Sequence, residues 1–257
     1  MKYVSTFRTD AFRQFLSQLE SFKPTLHEVD YPESNVTAER FWKDFAEAIG
    51  PFFLDHLDNA TELWLESAQG SNIGRCCDHY DYKYSNCVES PLLGTQCPRL
   101  KRLTLVNFWI DATAVEFILD HDKTLESILL RECYIGLCEE DAETPYMSWR
   151  AFFAYLLDDG GLPRLVSFDL EGQGGRLVHL DETGKFLTPE ARRMVRKLKS
   201  DRSRQRPLWY VWISEHGDMS PDTNFTTERF WAMRDQKSFD KFMDMVRGNK
   251  WRLLGHE

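Results

Sequence analysis

The sequence lacks any apolar stretch long enough to cross a membrane. A transmembrane helix needs about 18 consecutive apolar residues, and no segment of the 257 residues approaches that length. Residues 1–8 also lack the apolar core of a secretory leader. We therefore expect an intracellular protein, cytoplasmic or nuclear, without a membrane partner. In such a reducing compartment the six cysteines are expected to be free thiols.

An excess of positive charge is missing as well. The chain has 41 acidic and 32 basic residues, which gives a formal net charge of −9. Because binding of a polyphosphate needs an excess of Lys and Arg on some face, we expect no nucleic-acid partner. Residues 192–199 form a basic run, which predicts either a local basic patch or the solvated face of a helix.

The motifs of common enzyme classes are also absent. The sequence contains no P-loop, no H-E-x-x-H and no G-x-S-x-G. The glycine-rich residues 172–175 follow a predicted strand, but a dinucleotide-binding turn needs a further glycine at position 177, which is Leu177. His121 is expected at the solvated end of a helix, where it favours the helix dipole. We therefore expect no catalytic residues and no cofactor.

Cysteines are concentrated between residues 76 and 97. Cys76, Cys77, Cys87 and Cys97, together with His79, would be enough ligands for a tetrahedral zinc site. Zinc ligands usually come in pairs two to four residues apart, whereas here nine residues separate Cys77 from Cys87 and Cys87 from Cys97. We expect free thiols in a surface insertion and less than one zinc per chain. A zinc-stabilised scaffold is the alternative.

The apolar content is high enough for a packed core. Hydrophobic residues make up 42% of the chain and aromatic residues 14%, so we do not expect global disorder. We expect a single domain over residues 1–257. Residues 1–57 are predicted to form a helical N-terminal cap, with one helix capped by Thr9 or Asp10 and another by Asn35 or Thr37.

The last part of the chain, residues 183–257, is predicted to contain a strand and helices. Thr188-Pro189-Glu190 is a typical helix start. A strand is expected at 208–213, and its alternation leaves open whether Tyr210 or its neighbours face the core. One or two helices over 225–246, interrupted near 235–236, are expected to end at a Gly248 cap.

Two segments in the middle of the chain repeat the same apolar pattern. Residues 100–110 and 125–135, displaced by 25 residues, follow the spacing L-x-x-L-x-L-x-x-N/C-x-L of leucine-rich repeats. Degenerate copies begin at Ala60 and Leu165, each 40 residues from its neighbour. Cys133 is expected in the turn after its strand, with its thiol against backbone groups.

Such units cannot bury their apolar faces alone, so neighbours must stack. We predict an α/β fold in which residues 58–182 form an irregular leucine-rich-repeat-like solenoid with parallel strands and outer helices, one of them at 112–121 and another starting at Ser148. An ordinary α/β domain with leucine-rich strands is the alternative.

The segments that carry this pattern resemble a known family. The runs CPRLKRLTL at 97–105 and TLESILLREC at 124–133 are similar to the leucine-rich repeats of fungal F-box-like proteins, and the similarity extends over residues 60–171. The resemblance implies repeats that bind a target protein, as the substrate-recognition part of a ubiquitin-ligase adaptor. An F-box opens with a Leu-Pro pair, which residues 1–50 do not contain.

The repeat pattern also predicts a strand register. Segments 62–66, 102–106, 127–131 and 166–170 are expected to be parallel neighbours in that order. Their inward residues should stack as a buried ladder, which consists of Leu63, Leu103, Ile128 and Phe168.

Side chains alternate across a strand, so the following residues should form an exposed row on the opposite face. That row consists of Trp64, Thr104, Leu129 and Asp169, and a second row beside it of Glu66, Val106, Arg131 and Glu171. Apolar anchors with a charged edge are typical of protein interfaces. We predict a non-enzymatic module that binds a protein partner through Trp64, Thr104, Leu129, Arg131 and Asp169. An α/β enzyme with dispersed site residues is the alternative.

Overall fold

The computed structural model describes residues 4–26, 48–67, 90–137, 147–171, 188–200, 208–213 and 219–255. The helix predicted from Asn35 or Thr37 lies outside these stretches. So do Cys76, Cys77, Cys87 and His79.

The N-terminal segment combines helices with short strands. Helices α1 (Val4–Phe7) and α2 (Asp10–Ser17) are followed by a helical segment at 48–52 and a 3₁₀ turn at Leu54–His56. Thr9 caps α2 as predicted, because its hydroxyl accepts a hydrogen bond of 3.3 Å from the backbone N–H of Phe12. Strands β1 (Ser21–Phe22) and β2 (Thr25–Leu26) were not predicted, and they join the sheet at its N-terminal edge.

A parallel sheet organises the described part of the chain. Its further strands are β3 (Glu62–Ser67), β4 (Arg102–Val106), β5 (Ser127–Arg131) and β7 (Ser167–Glu171), whereas β6 (Ile135–Leu137) belongs to a second sheet. The strand order is β1-β3-β4-β5-β7, β2 also pairs with β3, and all these pairs are parallel.

The predicted register is confirmed. Leu63 lies opposite Leu103, Leu103 opposite Ile128, and Ile128 opposite Phe168. Each of these ladder residues is at most 3% exposed. The flanking apolar positions of the pattern are buried too. Before the ladder these are Ala60, Leu100, Leu125 and Leu165, and after it Leu65, Leu105, Leu130 and Leu170.

A hydrogen-bond arrangement recurs at the start of each unit. The carbonyl of the residue before a strand accepts hydrogen bonds from two successive backbone N–H groups of the next unit. The carbonyl of Glu20 accepts from the N–H groups of Thr61 and Glu62, and that of Thr61 from Lys101 and Arg102. The carbonyl of Lys101 accepts from Glu126 and Ser127, and that of Glu126 from Val166 and Ser167. Units of different length therefore join their neighbours in one common way.

The turns after β4 and β5 also share one conformation. Asn107 and Glu132, which are 25 residues apart, both have left-handed backbone angles, with φ of 54° and 51°. The backbone N–H of Asn107 donates to the carbonyl of Arg131, and that of Glu132 donates to the carbonyl of Glu171. Each acceptor is the last residue of the neighbouring strand in the sheet. The 25-residue repeat in the sequence is thus matched by a repeat in backbone geometry.

Helices α3 (Ala112–Asp120) and α4 (Trp149–Tyr155) begin where the sequence predicted. Asp111 caps α3 through the N–H of Ala114, and Ser148 caps α4 through the N–H of Ala151. Helix α4 packs on the ladder side of the sheet, because the ring centroid of Phe153 lies 6.0 Å from that of Phe168.

The C-terminal part closes the ladder side further. It consists of α5 (Pro189–Ser200), β8 (Tyr210–Ile213), β9 (Met219–Pro221), α6 (Thr223–Ala232) and α7 (Arg234–Leu253). Strand β8 pairs parallel with β6 and antiparallel with β9. A left-handed Met233, with φ of 56°, separates α6 from α7, close to the predicted interruption.

The expected end of the last helix at Gly248 was wrong. Gly248 lies inside α7, which continues to Leu253. Tertiary contacts explain this continuation, since Asn249 is buried and donates hydrogen bonds to the carbonyls of Leu162, at 2.8 Å, and Leu165, at 3.1 Å. Glycine costs a helix only about 1 kcal/mol, which such contacts offset.

The described residues therefore form an α/β fold built on a parallel sheet. No helix within them is both long enough and apolar enough to span a bilayer.

Candidate functional site

The sheet surface opposite the ladder carries the residues that the sequence singled out. We call it the outer face and define it by its two rows, Trp64, Thr104, Leu129, Asp169 and Glu66, Val106, Arg131, Glu171. Each row is in register across the four strands, as predicted. The tertiary structure thus brings together the side chains proposed to bind a partner.

The exposure of the outer face differs from the prediction at its centre. Trp64 and Leu129 are half-buried and Asp169 is exposed, but Thr104 is only 9% exposed and Val106 only 6%. The expectation that Thr104 is an exposed contact residue was therefore wrong. Long side chains from the strands on either side of β4 meet above it and shield its residues.

Trp64 and Arg131 make that contact. The guanidinium carbon of Arg131 lies 5.4 Å from the centroid of the Trp64 ring, and the Lys23 ammonium lies 5.9 Å from it. Both distances are typical of cation–π interactions. The indole N–H of Trp64 donates a hydrogen bond of 3.2 Å to a carboxylate oxygen of Glu66. These contacts hold the indole ring in one orientation.

Ion pairs neutralise the cations that border Trp64. Glu62 accepts from Lys23 at 2.8 Å and from Arg102 at 3.3 Å, and Arg131 pairs with Glu171 at 2.7 Å. The hydrogen bond from Lys23 is the main cause of a pKa of Glu62 below its usual value, and Arg102 and Ser21 contribute against the opposing effect of burial.

Asp169 has a different environment at the far end of the first row. Its carboxylate accepts a hydrogen bond of 3.3 Å from the Ser167 hydroxyl, and no basic side chain of the described stretches forms an ion pair with it. The first row of the outer face therefore begins at Trp64, which is bordered by ion-paired cations, and crosses Leu129. It ends at the exposed carboxylate of Asp169, which has no cationic partner among the described residues.

Cys97 is not in a surface insertion, as the sequence had suggested. It is 1% exposed, and burial raises the pKa of its thiol to about 12, with Asp55 and Asp58 adding to the shift. Within the described stretches no group of three or more potential ligands converges on a metal position. The expectation of less than one zinc per chain stays a prediction, because the other cysteines of that cluster lie outside these stretches.

Cys133 occupies the place that the repeat pattern predicted. Its thiol donates to the carbonyls of Leu105, at 3.3 Å, and Arg131, at 3.5 Å. Burial raises the pKa of this thiol to about 12. Both described cysteines are therefore neutral, buried thiols.

Native Cys97 and Cys133 are expected to resist alkylation. At a pH of about 8.5, where a free thiol is half ionised, a thiol with a pKa near 12 has about a thousandfold less of the reactive thiolate. We expect iodoacetamide to modify both residues much faster in denatured than in native protein, as measured by peptide mapping with mass spectrometry. Equal rates in the two states would contradict the burial and the direction of the pKa shift.

His121 was expected at a solvated helix end, and this was wrong. The residue is 3% exposed. Its Nδ1 lies 2.7 Å from the Phe117 carbonyl, and its Nε2 lies 2.8 Å and 3.2 Å from the carbonyls of Gln96 and Cys97. His121 thus links the end of α3 to the loop before β4, which places it in the fold as a structural residue.

A buried polar cluster at the start of α4 escaped the sequence analysis. Asp235 accepts hydrogen bonds from the Tyr210 hydroxyl at 2.9 Å, from the Arg150 N–H at 3.2 Å and from the Arg229 guanidinium. The Tyr210 hydroxyl in turn accepts from the Trp149 N–H at 3.1 Å. We call these residues the Asp235 cluster.

The Asp235 cluster connects elements rather than presenting a reactive group. Burial, and then the charge of Asp235, raise the pKa of Tyr210, and the hydrogen bonds to Asp235 raise that of Arg229. Both carboxylate oxygens of Asp235 accept hydrogen bonds, from donors on α4, β8 and α6. The only signal in the sequence was the aromatic strand at 208–213, whose buried face the alternation left open.

Comparison with known proteins adds no identity. No protein-family model, curated protein or solved structure matches this chain. The resemblance to leucine-rich repeats of F-box-like proteins therefore rests on the residue pattern alone, and the function has to be argued from the geometry of the outer face.

Sequence reasoning missed the charges that surround its predicted residues. Lys23 and Glu62 are 39 positions apart, yet they meet beside Trp64. Lys23 lies outside the repeat pattern, and the pairing of β1 with β3 brings it to Glu62.

Proposed function

We propose that the chain is an irregular leucine-rich-repeat-like solenoid that binds a protein partner on its outer face. The common hydrogen-bond arrangement at the unit junctions and the matched turns at Asn107 and Glu132 support the solenoid. The observation that carries the function is the first row, in which half-buried Trp64 and Leu129 lie in register. Ion-paired cations border this row beside Trp64, and the exposed carboxylate of Asp169 borders it at the other end.

The charges of the outer face indicate what kind of partner fits. Adjacent strands lie about 4.8 Å apart, so the four strands present a row roughly 15 Å long. A polypeptide segment of that length would place an apolar side chain against Leu129 and a basic side chain against Asp169. The basic residue would supply the cationic partner that Asp169 lacks among the described residues.

The family resemblance suggests that this partner is a substrate of a ubiquitin ligase. An affinity pull-down from the native source, analysed by mass spectrometry, identifies the partner and tests its link to ubiquitination.

Replacing Trp64 with alanine is expected to weaken partner binding by about 2 kcal/mol, the range of an interface hot spot. Once a pull-down has identified a candidate, calorimetry with the purified pair measures this loss. The melting temperature should fall little, because Trp64 is half-buried and lies outside the ladder.

A charge-reversal pair separates partner recognition from general electrostatics. Asp169→Lys should weaken binding of a partner with a basic residue, whereas Glu116→Lys makes the same charge change at an exposed position of α3 and should leave binding unchanged. Wild-type affinity for both Trp64→Ala and Asp169→Lys would refute the outer face as the binding site. A large loss of stability in Trp64→Ala would instead assign Trp64 to the core.

A further inference from the structure

Helix α5 concentrates positive charge in an otherwise acidic chain. It contains five basic residues and one acidic residue, a net charge of +4, whereas the whole chain has a net charge of −9. The remaining residues therefore have a net charge of −13. Such a local concentration of cations on one helix attracts an anionic ligand to that helix.

The orientation of α5 turns part of this charge toward solvent. Ala191 and Met194 are fully buried, while Arg192, Arg193 and Arg196 are exposed. Arg192 and Arg196 are four residues apart, so they lie above one another on the same side of the helix. The buried face of α5 thus packs against the protein through Ala191 and Met194, and its opposite face presents the arginines to solvent.

These three arginines have no acidic partner among the described residues. None of their guanidinium groups forms an ion pair with a carboxylate there. In contrast, Arg131 on the outer face and Arg102 at the start of β4 are both paired with glutamates. The cations beside the outer face are therefore neutralised, whereas no carboxylate within the described stretches occupies Arg192, Arg193 or Arg196, and these three can pair with an external anion.

An exposed aromatic ring lies beside one of these arginines, Arg193. Trp231 of α6 is 39% exposed, and its ring centroid lies 5.8 Å from the guanidinium carbon of Arg193 and 5.4 Å from the ammonium of Lys197. We define the basic patch as Arg192, Arg193, Arg196 and Trp231. It combines bidentate donors for carboxylates with apolar area for a neighbouring side chain.

We propose that the basic patch is a second interaction surface, which binds a short acidic polypeptide segment with an apolar residue beside its carboxylates. Carboxylates would pair with the arginines, and the apolar residue would pack on Trp231. This inference is independent of the partner proposed for the outer face. A nucleic acid fits less well, because it has a charge about every 1.7 Å and would extend beyond one helix over an acidic chain.

The test uses a fluorescein-labelled synthetic peptide, rich in glutamate with one central phenylalanine, and fluorescence anisotropy with the full-length chain. Wild-type protein should bind it at low salt and lose affinity as salt rises. The triple variant Arg192→Gln, Arg193→Gln, Arg196→Gln should bind about tenfold more weakly, as expected when three exposed charge pairs are lost. Trp231→Leu should weaken binding of this peptide more than that of a version with glycine in place of phenylalanine.

A matched control removes the same charge elsewhere. Lys123, Lys241 and Lys250 are exposed, and replacing all three by glutamine should leave peptide affinity unchanged. Equal losses in the two triple variants, or no binding by the wild type, would overturn the proposal. Tighter binding of a labelled single-stranded oligonucleotide than of the peptide would also overturn it.

Discussion

Replacing Asp235 with alanine is expected to lower the free energy of unfolding by about 3–5 kcal/mol, as for one partner removed from a buried ion pair. Asp235 is 3% exposed, and its loss would leave the Arg229 guanidinium, the Tyr210 hydroxyl and the Arg150 N–H without this acceptor. Each buried donor left without an acceptor adds its own desolvation cost. Urea denaturation followed by circular dichroism measures the change.

Two further variants assign the effect to the Asp235 cluster. Tyr210→Phe should cost about 1–2 kcal/mol, because it removes one hydroxyl that both donates to Asp235 and accepts from the Trp149 N–H. Asp244→Ala is the control, since Asp244 forms an exposed ion pair with Arg247 on the same helix and should cost less than about 1 kcal/mol. A loss in Asp235→Ala no larger than in Asp244→Ala would show that the cluster does not hold α4, α6 and α7 together.

Phe153→Ala is expected to destabilise the protein by a similar amount, about 3–5 kcal/mol. Phe153 is fully buried on α4. Its ring lies within 6.0 Å, centroid to centroid, of five other aromatic rings, which belong to Trp149, Phe152, Phe168, Phe239 and Phe242. Truncation would open a cavity where the sheet, α4 and α7 meet, and the surrounding rings can fill it only in part.

The midpoint of urea denaturation should fall in Phe153→Ala while the slope stays unchanged, since the surface exposed on unfolding is similar. Tyr155→Ala is the matched control, because Tyr155 lies on the same helix and is 52% exposed. It should change stability by less than about 0.5 kcal/mol. A loss below about 1 kcal/mol in Phe153→Ala would mean that α4 and α7 do not share one cooperative core with the sheet.

The strand register was predictable because it depends on local spacing. Alternation at period two decides which side chains share a face, and the 25-residue displacement between 100–110 and 125–135 aligns Leu103 with Ile128 without knowledge of the rest of the fold. Helix starts at Thr9, Asp111 and Ser148 follow from side-chain caps within three residues of the N–H groups they satisfy. The thiol of Cys133 reaches the carbonyl of Leu105, 28 positions earlier, because the repeat places the two segments on adjacent strands.

Burial and charge pairing were decided by contacts between distant segments. Thr104 is shielded because Trp64 and Arg131, which are 67 positions apart, meet above β4. His121 is buried because the loop before β4 packs against it, and the Gln96 carbonyl lies 2.8 Å from Nε2 of the imidazole ring.

By itself, then, the sequence determined the parallel α/β arrangement, the ladder and the residues of the outer face, since each depends on alternation within a strand and on the displacement between repeated segments. The tertiary structure alone decided which of those residues are accessible, which cations are neutralised, and that Asp235 and Tyr210 form a buried cluster. These properties depend on side chains 25 or more positions apart in sequence, and the pattern of any one segment does not encode their distance in space.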